Sequence, residues 1–182
     1  MANVMEAVTQ IFKTLVNDQP EPPIHAGEVM DLWKYAAYIE EAIVLEQIGR
    51  NTTIDNDLLK LLDEAVTICS AQSERIQKMM EEFGIPIPPM PSDKPKSEAG
   101  AVPAGARMTD DEIANILAAK LLLVTKECCR SMLEAVRSDL GLMWANMLYE
   151  QAKFGANLKV KMRERGWLKS PPAYYPPGAP NQ

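Results

Sequence analysis

Apolar residues recur along the chain in four long stretches, each with the three-and-four spacing that puts them on one face of an α-helix. Val29, Leu32, Ala36, Ile39 and Ile43 form the first stripe, in a helix expected over about residues 26–49. Leu58, Leu62, Val66, Cys69, Ser73, Ile76, Met80 and Phe83 form the second, over about 55–83. Ile113, Leu117, Leu121, Val124, Cys128 and Ala135 form the third, and Leu140, Met143, Met147, Phe154 and Leu158 the fourth. A helix with a single apolar face must bury it against others, so the pattern predicts an all-α, four-helix bundle.

Punctuation supports the same division. The fourteen prolines fall at 20–23, 86–103 and 171–180, leaving two proline-free blocks, each long enough for a helical hairpin. Gly49 reads as the stop of the first helix, and Thr and Asp in the run RNTTIDND as caps for the second. Gly84 closes the second helix, Thr109 to Glu112 spell a capping box for the third, Ser138 and Asp139 open the fourth, and Gly166 ends it. The expected organisation is an N-terminal short helix and linker at 1–23, a bundle at 24–168 containing a proline-rich connection at 85–108, and a proline-aromatic tail at 169–182. Short turns force antiparallel pairs within each block. The 24-residue connection is long enough, at roughly 3.1 Å per residue, to cross the bundle from end to end or to fold back as an excursion.

Composition narrows the function classes. With 182 residues, 47% hydrophobic and 24% charged, the chain has the make-up of a folded globular domain. A formal charge of −6 argues against a protein built to grip nucleic acid or an anionic membrane. No run of about 18 apolar residues suggests a membrane span, and no export signal opens the chain. Cys69, Cys128 and Cys129 lack the spacing of a disulfide framework or a zinc site, which points to a reducing, cytoplasmic setting. His25 is the sole histidine, so most metal sites and most acid-base catalysis near neutral pH lose their usual ligand or proton carrier.

The runs IHAGEVMDLW at the first helix, FGIPIPPMP after the second, QAKFGANL in the fourth and RGWLKSPPAYYPP at the end together resemble a family of uncharacterised proteins from endospore-forming Firmicutes related to spore coat protein F. The resemblance covers about residues 24–176. It implies a ferritin-like four-helix bundle with a long connection between its second and third helices, a place in the spore coat, and other coat proteins as partners.

Ferritin-like bundles often hold two metal ions, using one Glu from each of two helices and a Glu-x-x-His from each of the others. This chain contains no Glu-x-x-His. His25 with Glu28 is the nearest approach, in reversed order and at the first turn of a helix, where a cap and a first-turn carboxylate are the plainer reading. The alternative is an iron, manganese or zinc site drawing on His25, Glu28, Glu40 and Glu150. Glu40, Glu127 and Glu150 flank the apolar stripes, where solvated faces are the usual role.

Cys69 and Cys128 lie on core stripes and read as small hydrophobes, whereas Cys129 faces outward and could crosslink chains. The basic run at 159–165 complements the negative end of the fourth helix. Trp167, Tyr174 and Tyr175, interleaved with prolines, form a stiff apolar segment that must fold back on the bundle or dock on another chain. Taken together, the sequence points to a non-enzymatic structural or assembly protein without catalytic residues or cofactor, forming a homodimer and contacting partners through Trp167, Tyr174 and Tyr175.

Overall fold

A computed structural model describes residues 20–176 together with Glu6, Thr9, Gln10 and Lys13. Those four N-terminal positions are helical and exposed. The expected apolar face of the N-terminal helix and the last part of the tail, 177–182, lie outside the described residues.

Four long helices carry the fold, α1 at Ala26–Arg50, α2 at Asn56–Glu82, α3 at Asp110–Glu134 and α4 at Ser138–Glu164. No strand occurs among the described residues. Each start has a chemical reason. His25 caps α1 and Thr109 caps α3, each in a box closed by the Glu three residues on, while Asp55 Oδ1 accepts from the Asp57 and Leu58 amides at the start of α2. Gly84 and Gly166 follow α2 and α4 at φ of +67° and +71°, the left-handed conformation that glycine adopts without a Cβ clash.

Two boundaries differ from expectation. Gly49 does not end α1; it sits inside the helix, where a Cβ would meet Ile113 and Leu62, so its smallness serves close packing. Ser138 does not cap α4 with its side chain. Arg137 holds the cap position, and the Ser138 amide donates to Glu21 from before α1.

The helices pack α1 on α2, α3 on α4, α1 on α3 and α2 on α4. Asp31, early in α1, pairs with Arg130, late in α3, whereas Gly49, late in α1, faces Ile113 near the start of α3. These two helices are therefore antiparallel. Because α1 and α2 form a hairpin, α2 and α3 share one direction. The segment after α2 is held on the C-terminal turn of α1, where Gln47 bonds Asp93 and the Lys94 amide and Asn51 bonds the Pro95 carbonyl and the Ser97 amide.

The expected stripes fill the core. Leu32, Ala36, Ile39, Leu58, Leu62, Ile76, Met80, Val124, Cys128, Leu140, Met147, Phe154 and Leu158 are all buried, with Tyr35 and Trp144 in edge-on contact at 5.1 Å. At about 25 cal/mol per Å² of apolar surface removed from water, this burial is the main force holding the bundle.

Candidate functional site

Three polar clusters interrupt the apolar interior. At the start of α1, His25 Nδ1 accepts from the Gly27 and Glu28 amides at 3.0 and 3.3 Å, and Glu28 Oε2 returns a bond from the His25 amide. An accepting Nδ1 carries no proton, so His25 works here as a cap. Glu28 is buried, and its other oxygen accepts from the Val136 and Arg137 amides at 2.9 and 3.0 Å. One carboxylate thus ties the N-terminus of α1 to the turn between α3 and α4. Asp31 lies one turn on and receives a two-pronged bond from Arg130, which also reaches Glu127 and Glu134.

The second cluster lies mid-bundle. Gln72 is fully buried, and its Oε1 accepts from Tyr35 Oη at 2.8 Å and from Gln151 Nε2 at 2.7 Å. Its Nε2 donates to Glu150 Oε2 at 2.8 Å, and Arg75 holds the other Glu150 oxygen at 3.0 Å. Cys128 Sγ donates to Tyr35 Oη at 3.4 Å. Every member satisfies another, which is what a buried polar network needs to be stable. Burial, the Cys128 sulfur and the Cys69 sulfur together push the Tyr35 phenol well above its usual range, and burial pushes the Cys128 thiol up to about 12.

The third cluster is ionic. Lys120 Nζ of α3 stands 2.5 Å from Glu46 Oε1 of α1 and donates to Cys69 Sγ of α2 at 3.2 Å. Burial raises the Glu46 pKa, and Lys120 offsets part of that rise. For Lys120 burial disfavours the ammonium, but the Cys69 sulfur and the Glu46 carboxylate outweigh it, so its pKa is raised.

The four residues of the metal alternative are not brought together. His25 and Glu28 close the start of α1, Glu40 accepts from Ser73 and Gln77, and Glu150 is held by Arg75 and Gln72. From Glu28 to Glu40 is about 18 Å along the helix axis. Among the described residues no three His, Cys, Asp or Glu side chains converge as a metal ion would require. Glu40, Glu127 and Glu150 also differ from the solvated faces expected of them: each is half-buried and hydrogen-bonded.

The tail residues divide. Trp167 is half-buried against the core, its carbonyl takes a bond from Asn115, and Arg165 lies over its ring, so it belongs to the bundle and not to a free docking segment. Tyr174 and Tyr175 are exposed, at 82% and 62%. Within the basic run, Lys161 pairs with Glu164 and Arg165 with Asp55 and Asp57.

Cys69 and Cys128 are buried, their thiols both pushed up to about 12 by burial first, while Cys129 is half-exposed. A chromogenic thiol reagent at neutral pH is therefore expected to count one fast thiol per native chain and three in denaturant. Three fast thiols in the native protein would show that the interior is open.

Sequence comparison places this arrangement among known proteins. Residues 12–179 match the model of a family described as proteins of unknown function, DUF3231. The chain belongs to the DUF3231 family. It is 30% identical over 158 residues to the uncharacterized protein YvdQ of Bacillus subtilis, covering 87% of this chain and 92% of that one. Its fold is similar to the crystal structure of a "putative spore coat protein" from Bacillus halodurans, with a TM-score of 0.82 at 27% identity, over 85% of this chain and 98% of the other. Among the described residues no helix is long and apolar enough to cross a membrane.

Sequence reasoning missed Glu46, Gln72, Lys120 and Gln151. Each falls in register with an apolar stripe: Lys120 lies three residues after Leu117 and four before Val124, and Gln151 four after Met147 and three before Phe154. A polar residue at a core-facing position is the signal that would have found them.

Proposed function

We propose that this chain is a non-enzymatic structural or assembly protein, similar to spore coat components, acting through the surfaces of its bundle and tail and needing no metal or cofactor. The observation that carries this reading is the match, over nearly the whole neighbour, to a protein named for the spore coat. The interior is compatible with it, because Tyr35, Gln72, Gln151 and Glu150 bond one another across the middle of the bundle.

The fold is assigned to the ferritin-like class, with 85–108 as the crossover between its second and third helices. The shared direction of α2 and α3 and the bonds from Asp93 to Ser97 onto the end of α1 support that assignment. The molecule works as a homodimer that also contacts other coat proteins, and it is made in the cytoplasm of endospore-forming Firmicutes for the coat layer. Exposed Tyr38, Leu122, Leu123, Leu133, Tyr149 and Tyr174 supply apolar contact surface for this. Nucleic acid is no partner of so acidic a chain.

Purified endospores of a producing strain, extracted layer by layer and probed with an antibody, provide the test. The chain is expected in the coat extract. Its confinement to vegetative cells, or to the spore core, would overturn the reading.

A further inference from the structure

Cys69, Lys120 and Glu46 come from three different helices and meet away from solvent. Lys120 Nζ stands 3.2 Å from Cys69 Sγ and 2.5 Å from Glu46 Oε1, and Cys69 Sγ lies 3.6 Å from the same oxygen. Glu46 is 2% exposed, yet its second oxygen, Oε2, has no hydrogen-bond partner among the described residues. Beside Glu46 and Lys120 lies a cavity of about 10 Å³, room for one water-sized molecule. Leu45, Ile116 and Lys120 line both this cavity and an apolar groove of about 450 Å³ between α1 and α3, which opens to solvent. An ion pair does not need a thiol within reach of the amine, and a bonded carboxylate does not leave an oxygen unpaired beside a cavity.

We propose that Cys69 and Lys120 form an oxidative modification site, in which hydrogen peroxide arriving by the solvent-open groove that Lys120 lines converts the two side chains into a covalent sulfur–nitrogen crosslink. In the first step the Cys69 sulfur attacks hydrogen peroxide. An S–O bond forms as the O–O bond breaks, sulfur loses two electrons to become a sulfenic acid, and the peroxide is reduced to water. In the second, Glu46 takes one proton from the Lys120 ammonium and the freed amine attacks the sulfenic sulfur. The N–S bond forms, the S–O bond breaks, and the departing hydroxide takes a further amine proton to leave as water. One peroxide is consumed, two waters are released and one proton remains on Glu46.

The surroundings suit this outcome. Burial raises the Glu46 pKa, so the carboxyl retains the proton once the ammonium charge has gone, and no unpaired charge is left inside. Burial first, and then the Glu46 charge, hold the Cys69 thiol up at about 12, which keeps thiolate scarce and the first step slow near neutral pH. The site therefore responds to sustained oxidant and not to a brief pulse.

The test uses the full chain with Cys128→Ser and Cys129→Ser, so that Cys69 is its sole thiol. After prolonged incubation with hydrogen peroxide, the intact mass is expected to fall by two hydrogens. Trypsin should then release peptide 61–75 joined to 108–126 with no cleavage after Lys120, and dithiothreitol should separate them. Oxygen added at Cys69 with Lys120 free, an unmodified Cys69, or a link retaining an oxygen would each overturn the proposal. Should circular dichroism show the variant unfolded, the native chain is oxidised after alkylation of Cys129. The same joined peptides then support the site, and a Cys69–Cys128 disulfide in their place overturns it.

Discussion

Replacing Lys120 with Met is expected to lower the unfolding free energy by about 3 to 5 kcal/mol, because it strands Glu46 as a buried, unpaired carboxylate. For a chain of this size that is a fall in Tm of roughly 10 °C. The partner substitution separates this account from simple loss of packing. In the double variant Glu46→Leu with Lys120→Met, both charges vanish together and stability should return to within about 1 to 2 kcal/mol of the parent. The pH dependence has a definite sign. An acid whose pKa is raised on folding binds its proton more tightly when folded, so its stability contribution grows as pH falls and is lost as pH rises through the raised value. The deficit of Lys120→Met should therefore narrow as pH drops from 7 toward the ordinary carboxyl value of 4.5. Urea titrations at several pH values check both statements, and a double variant as unstable as the single one would show that the ion pair matters through shape alone.

Removing Glu28 is expected to be nearly as damaging. Glu28→Ala takes away the reciprocal bond to the His25 amide and leaves the Val136 and Arg137 amides without their acceptor. A hydrogen bond to a charged acceptor contributes about 1.5 to 3 kcal/mol, less where solvent can replace it as at this part-buried turn, so a loss of about 3 kcal/mol is expected from the three bonds together. His25→Asn, which keeps an accepting side chain at the cap, should cost less than about 1 kcal/mol. Hydrogen exchange gives the more specific reading: in Glu28→Ala the amides of 136 and 137 should lose protection ahead of the helix interiors. Unchanged exchange at that turn would contradict the role given to Glu28.

These two clusters mark where the sequence was readable and where it was not. Helix faces built from Leu, Ile, Val and Met repeat often enough to reveal their period, and caps such as Asp55 and Thr109 act within four residues, so both are local signals. The pairing of Glu46 with Lys120 joins positions 74 residues apart in the chain, and nothing local distinguishes a buried Lys from a solvated one except its register among apolar neighbours. Gln72 follows the same logic, three residues after Cys69 on the inward face of α2. The reading of His25 as a cap was local and correct, but the second task of Glu28, at the distant turn, required the fold. For Trp167 the sequence leaves two outcomes open, folding back on the bundle or docking on another chain, and its ring packs on the bundle next to the helix it follows.

Tyr35, Gln72, Gln151 and Glu150 bond one another across the middle of the bundle, where a ferritin-like protein would hold its metal ions, and the proposed function leaves the work to the surfaces. Metal content is the direct measure of it. Protein purified without chelator and analysed by inductively coupled plasma mass spectrometry is expected to carry no stoichiometric iron, manganese or zinc, whereas two tightly held ions per chain would contradict the account.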